Sequence, residues 1–142
     1  MTDVLGDSVP TVDIRVVQGD TFILSMRRLD ADGEIVDTAD YDARMMIRTK
    51  APPYTLICEL DTVGGAGKGT ITVGIEGEEG SQTNVTLTIP ADVTAAFPRV
   101  PKATTAIWEY DLAMIADPGD APNTTDKWTR GDVYQTNGVT RD

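Results

Sequence analysis

The sequence predicts an all-β domain, a sandwich or barrel of about eight short strands, and three observations predict it. Apolar and polar residues alternate with a period of two in at least five separate segments. Gly, Pro and Asp clusters punctuate the chain at short spacing between those segments. Only one stretch, residues 90–97, reads as helix, and it is one or two turns long. At 142 residues the chain has material for one domain, enough to bury a core without staples.

In chain order, residues 12–17 form a first, weaker apolar run, which Gln18-Gly19-Asp20 ends as a turn. In 21–28, Phe22, Leu24 and Met26 share one face, opposite Thr21, Ile23, Ser25 and Arg27. Asp30-Ala31-Asp32-Gly33 then reads as a hairpin turn whose glycine supplies a positive φ. Residues 43–48 form another weaker run, and Ala51-Pro52-Pro53 interrupts the pattern. Leu56, Cys58 and Leu60 alternate with Thr55, Ile57 and Glu59. Ile71, Val73 and Ile75 alternate with Thr70, Thr72 and Gly74, and Val85, Leu87 and Ile89 with Asn84, Thr86 and Thr88. The helical stretch follows, closed by Pro98, as a plug or corner between strands. After it, Trp108, Tyr110, Leu112 and Met114 share a face opposite Ile107, Glu109, Asp111 and Ala113. Residues 127–136 supply the last run, after a turn at Asp117-Pro118-Gly119-Asp120. The expected organisation is an N-terminal arm (1–10), a β-sandwich domain (11–137) and a C-terminal tail (138–142).

Twelve Lys and Arg against 23 Asp and Glu leave a formal charge of -11, and there is no histidine. Such a charge repels phosphate backbones and anionic lipid, so nucleic-acid and membrane-surface binding are disfavoured. Without histidine neither a Ser-His-Asp nor a Cys-His pair can be built, and the commonest zinc ligand is missing. A single cysteine excludes an intrachain disulfide. The first ten residues lack the basic and apolar regions of a signal peptide, and no apolar run approaches the ~20 residues of a membrane-spanning helix.

Several motifs suggest chemistry and have a plainer reading. Residues 64–70, GGAGKGT, look like a phosphate loop, but Gly69 follows Lys68 and the next residues alternate as a strand, so a flexible hairpin loop is expected. Asp30, Asp32, Glu34 and Asp37 could hold calcium; the spacing of a calcium-binding helix–loop–helix is absent, since residue 35 is isoleucine and residue 41 tyrosine. Arg130-Gly131-Asp132 spells an integrin-binding tripeptide on a predicted strand, where a bulge or turn is expected. Asn84 and Asn123 begin glycosylation sequons that are read as chance. Glu109 and Asp111 could pair as glycosidase acids but fit a solvated sheet face. Cys58 belongs to an apolar alternation and reads as core rather than nucleophile. Trp108 and Tyr110 likewise read as core-side aromatics.

The order of motifs carries more than any one of them. Residues 16–22 (VVQGDTF), 30–37 (DADGEIVD) and 43–48 (ARMMIR) resemble the opening of the immunoglobulin-like domain of tailed-bacteriophage baseplate upper proteins. Residues 87–97 (LTIPADVTAAF), 108–112 (WEYDL), 130–133 (RGDV) and 139–141 (VTR) are similar in order to its later half. The resemblance implies an immunoglobulin-like antiparallel β-sandwich of about seven to nine strands, with one short helix between late strands. It implies no catalytic residues and no cofactor or metal. The expected function is that of a non-enzymatic structural protein of a tailed-phage virion, made in the host cytoplasm. It would dock in several copies to other virion proteins at the tail, baseplate or a fibre, with capsid decoration next. The alternative is a β-sandwich module binding a host surface or glycan through aromatics such as Tyr54 or Trp128. Interfaces of so acidic a protein must avoid or neutralise carboxylates, so Arg15, Arg27, Arg28, Arg44, Arg48 and Lys50 are the expected partner contacts, with Tyr54 and Trp128.

Overall fold

The structure is a computed structural model that describes residues 11–78, 81–100, 108–116 and 124–137, with residues 116 and 124–126 described in backbone only. The expected arm, the tail, the turn at 117–120 and the Asn123 sequon lie outside the described residues. Eight strands and one helix follow in order. They are β1 (Ile14–Val17), β2 (Phe22–Met26), β3 (Asp42–Thr49), β4 (Leu56–Asp61), β5 (Gly69–Glu76), β6 (Thr83–Ile89), α1 (Ala91–Ala95), β7 (Trp108–Ala116) and β8 (Thr124–Thr136).

Hydrogen bonding runs through all eight strands in the order β1-β8-β7-β3-β4-β5-β6-β2. The β4–β5 link is a seam only two pairs long, Leu60 with Gly69 and Asp61 with Thr70. On its two sides lie β8-β7-β3-β4 and β5-β6-β2, the strand orders of the two sheets of a variable-type immunoglobulin sandwich. The domain is therefore an immunoglobulin-like all-β fold, with eight strands and one short helix, between β6 and β7, among the described residues. It is not wholly antiparallel: β1 runs parallel to β8, and β4 to β5. The loop at 62–68 consequently joins parallel neighbours and is no hairpin.

The alternation read from the sequence sorts inside from outside. Ala43, Met45 and Ile47 of β3 are buried and register with Met114, Leu112 and Tyr110 of β7, so one face of the pair is continuous core. Val85, Leu87 and Ile89 of β6 and Ile71 of β5 join the same core from across the seam. Phe22, Leu24 and Met26 pack against it, while Ile23 stays 64% exposed. Each large apolar side chain so buried stabilises the fold by roughly 1.5–3 kcal/mol. On β5 the alternation fails after Val73. A register shift between Val73 and Glu76, with Gly74 at φ 104°, turns Ile75 outward to 38% exposure.

The helix is a corner piece, as its length predicts. Pro90, extended at φ -62° and ψ 154°, leads into it without a side-chain cap. Its buried Thr94 hydroxyl accepts the Gly19 N–H (3.0 Å) and donates to the Asp20 carbonyl (2.8 Å), while the Gln18 amide donates to the Phe97 carbonyl (2.8 Å). These bonds tie the β1–β2 turn to the helix. They also hold Phe97 edge-on to Trp108, ring centroids 5.8 Å apart at 85°.

Candidate functional site

The outward face of β4-β3-β7-β8 carries the densest set of functional groups, and strand register lays them out in rows. One row runs Asp61, Arg44, Ala113, Lys127; the next Glu59, Met46, Asp111, Arg130; the third Arg48, Glu109, Asp132. Neighbouring strands contribute opposite signs except where Glu109 faces Asp132, and there Lys50 pairs with Asp132. Ion pairs stitch the pattern. Arg44 lies 3.6 Å from Glu59, Lys50 2.8 Å from Asp132, Lys68 3.7 Å from Glu59 and 3.1 Å from Asp61, and Lys127 pairs with Asp111. All are exposed enough that solvent screening leaves each worth little to stability. Their significance is the sum: six basic side chains meet five carboxylates on one face of a chain with only 12 Lys and Arg against 23 acids.

Met46, Arg48, Glu109, Asp111, Arg130 and Asp132 line a groove of about 410 Å³ on this face. At its end Arg48 donates to the Tyr54 carbonyl (3.4 Å), which places the Tyr54 ring, 51% exposed, at the border of the face. Tyr54 stands in the left-handed region at φ 56°. The Asp132 contact holds the Lys50 ammonium above its ordinary pKa. Asp61 is held below the usual carboxylate range, first by the Gly64 N–H (2.6 Å) and then by Lys68.

Of the residues expected to make contacts, Arg44, Arg48, Lys50 and Tyr54 converge here. Arg15 sits one strand beyond β8, its guanidinium 5.3 Å over the Tyr134 ring. Arg27 and Arg28 stand at the end of β2, away from this face. Trp128 is no loop aromatic: it lies on β8, 8% exposed, edge-on to Tyr41 at 6.1 Å and with the Arg28 guanidinium 4.9 Å above its ring. Its burial corrects the reading of Trp128 as an exposed contact. Lys68, Lys127 and Arg130 join the face unannounced. Arg130 follows the outward phase of β8, but Lys127, three residues earlier, turns outward only through the register shift opposite Leu112 and Ala113, and only the seam at β4–β5 brings Lys68 across.

Other motifs resolve by geometry. Arg130-Gly131-Asp132 lies in continuous strand β8, paired with Asp111, Tyr110 and Glu109, and is neither bulge nor turn. Glycine is required at 131 because a Cβ there would stand 2.2 Å from the Val12 carbonyl oxygen. In the 30–34 turn, Asp30 accepts the N–H groups of Asp32 (2.9 Å) and Glu34 (3.0 Å), and Gly33 takes φ 84°. Among the described residues no three His, Cys, Asp or Glu side chains cluster as metal ligands. Burial pushes the Cys58 thiol up to about 11. Among the described residues no helix is long and apolar enough to cross a membrane.

No family model matches the chain, and no curated protein matches it. Among solved structures it is similar to the V domain of amphioxus IgVJ-C2, at 12% identity over 87% of this chain and 98% of that one, with a TM-score of 0.29. So slight a likeness carries no argument of its own.

Proposed function

We propose that the chain is a non-enzymatic structural protein of a tailed-phage virion, docking in multiple copies to other virion proteins through the outward face of β4-β3-β7-β8. The observation that carries this reading is the charge-balanced face on a molecule of net charge -11. Two such molecules, or one and another acidic partner, repel at most approaches. Here bases and acids interleave, so an incoming surface meets complementary charge in either sign. The motif order shared with baseplate upper proteins supports a virion setting, with tail, baseplate or fibre attachment ahead of capsid decoration.

Mass spectrometry of purified particles of the virus that encodes the chain tests the setting. The protein is expected in multiple copies per particle, and its absence overturns the proposal. Charge reversal tests the face: Arg44→Glu with Arg48→Glu should leave the domain folded and remove it from particles. Saturable binding of the isolated domain to host glycans, lost in Tyr54→Ala, would replace this reading with that of a host-recognition module.

A further inference from the structure

Three side chains of the charged face, Arg48, Glu109 and Arg130, are exposed and make no ion pair among the described residues. Their places in the strand register hold a symmetry that one molecule leaves unused. Across β4-β3-β7-β8 the rows read with opposite sign from their two sides. Asp61 on β4 answers Lys127 on β8, Glu59 on β4 answers Arg130 on β8, and in the inner pair Arg48 on β3 answers Glu109 on β7.

A two-fold axis parallel to the strands, passing between β3 and β7, lays one such face on another with those sides exchanged. β4 then lies over β8 of a second copy, and β3 over its β7. Asp61 meets Lys127, Glu59 meets Arg130 and Arg48 meets Glu109, each contact made twice, as in any isologous interface. At the remaining row positions Arg44 meets Ala113, Met46 meets Asp111 and Leu56 meets Asp132, so no two like charges of the rows oppose. The long arginine and lysine side chains span the offset that a crossing of roughly 30° between packed sheets imposes at the outer strands. The other two-fold axis between two such faces runs perpendicular to the strands through the middle row. It would set Glu59, Asp111 and Arg130 each on its own counterpart and Arg44 on Arg48, an arrangement that like-charge repulsion disfavours.

We propose that two copies of the chain pair face to face through β4-β3-β7-β8 about the axis parallel to the strands, Arg48 of each against Glu109 of the other. The inference rests on the reading of this face as a docking surface and names its occupant, a second copy. The three side chains without an ion pair each gain one in the pair. Elsewhere two molecules of net charge -11 repel; on this face the register gives every charge of the rows an opposite or neutral counterpart.

Sedimentation velocity over a concentration series should show the parent chain in a monomer–dimer equilibrium. Arg48→Glu sets carboxylates against each other and Glu109→Arg sets guanidinium groups against each other, so each variant alone should dimerise at least about tenfold more weakly. Mixed in equal amounts, the two should pair with near-parental strength, because the exchanged charges then oppose correctly in both contacts. Glu59→Arg with Arg130→Glu repeats the test should either of the first variants fail to fold. A parent chain that stays monomeric at millimolar concentration overturns the proposal, and so do variants that do not complement each other. Failure of the docking reading looks different. A complementing dimer absent from purified particles refutes attachment and leaves the pair, whereas a monomer found on particles refutes the pair and leaves attachment.

Discussion

Asn84 and Arg28 bond each other reciprocally, side chain to backbone: the Arg28 N–H donates to Asn84 Oδ1 and Asn84 Nδ2 donates to the Arg28 carbonyl, both at 3.1 Å. The same amide nitrogen donates to the Val36 carbonyl at 2.8 Å, and Val36 in turn donates its N–H to the Arg28 carbonyl at 3.1 Å. A side chain with a peptide's donor and acceptor thus closes the base of the loop spanning residues 28–36 where no strand is available to do so. Asn84 is 1% exposed.

Removing this amide leaves buried backbone groups unpaired, which costs about 1–3 kcal/mol per group. Asn84→Ala is expected to lower the urea midpoint by an amount equivalent to about 2–3 kcal/mol, with the m-value unchanged. Asn84→Asp should cost more, because it deletes the donor and buries a charge. The sequon at 84–86 should stay unmodified in a folded protein, since both atoms of its amide are engaged.

Gly131 and Val12 make the second close relationship. Alanine at 131 would set its Cβ 2.2 Å from the Val12 carbonyl oxygen and 2.7 Å from its carbon, both backbone atoms that cannot swing aside. β1 must therefore lift from β8. Gly131→Ala is expected to destabilise the domain by about 2 kcal/mol or more, as strain or lost pairing does. Hydrogen exchange locates the damage: the Val12 amide, bonded to Arg130, should exchange much faster while amides of β5 and β6 change little. A uniform change in exchange would contradict the mechanism.

These two relationships also mark where the sequence was legible. The strands of β2, β4, β6 and β7 could be read directly because one face of each packs on the core and the other meets solvent, and period-two alternation records that division. Trp108 and Tyr110 on the core face, and Glu109 and Asp111 outside, follow from it. β5 was legible only to Val73, because Gly74, a strand glycine of the kind that marks bulges, was read as an ordinary outward position of the alternation. Strand order was not legible: β1 lies beside β8 through pairs such as Ile14 with Val133, which no short-range pattern encodes. The charged face was half legible for that reason. Arg44 and Arg48 belong to one strand, but their neighbours Glu59, Glu109 and Asp111 become neighbours only through register. Asn84 was misjudged as an outward strand residue because the loop that covers it comes from residues 28–36.

The loop after β4 should be sensitive to acid. Asp61 accepts the N–H groups of Gly64 and Val63 and the Lys68 ammonium, so its folded pKa lies below the unfolded value of about 3.9. A carboxyl depressed on folding contributes stability that is present above the unfolded pKa and lost as pH falls through the folded one. Asp61→Asn should therefore weaken the domain by less than about 1 kcal/mol at neutral pH. As pH falls through the folded pKa, parent and variant should converge as the parent carboxyl protonates. Urea titrations at a series of pH values give both limbs, and a difference that persists at low pH would assign the effect to the loop backbone instead.

Tyr54 sets stability against exposure. An L-residue in the left-handed region costs roughly 1–2 kcal/mol unless its side chain suits that conformation, as asparagine's does. Here a tyrosine holds it, at φ 56°, while half its surface stays in water. The bonds it makes among the described residues are made by its backbone: the N–H to the Ala51 carbonyl at 2.9 Å and the carbonyl from Arg48 at 3.4 Å. Both survive substitution. Tyr54→Asn is therefore expected to raise the thermal midpoint, by a degree or several, in keeping with about 0.5–1 kcal/mol. If the proposed virion role holds, the same variant should lose attachment to particles while gaining stability, which would show what the exposed ring is kept for. A lower midpoint would instead mean that the ring packs within the domain.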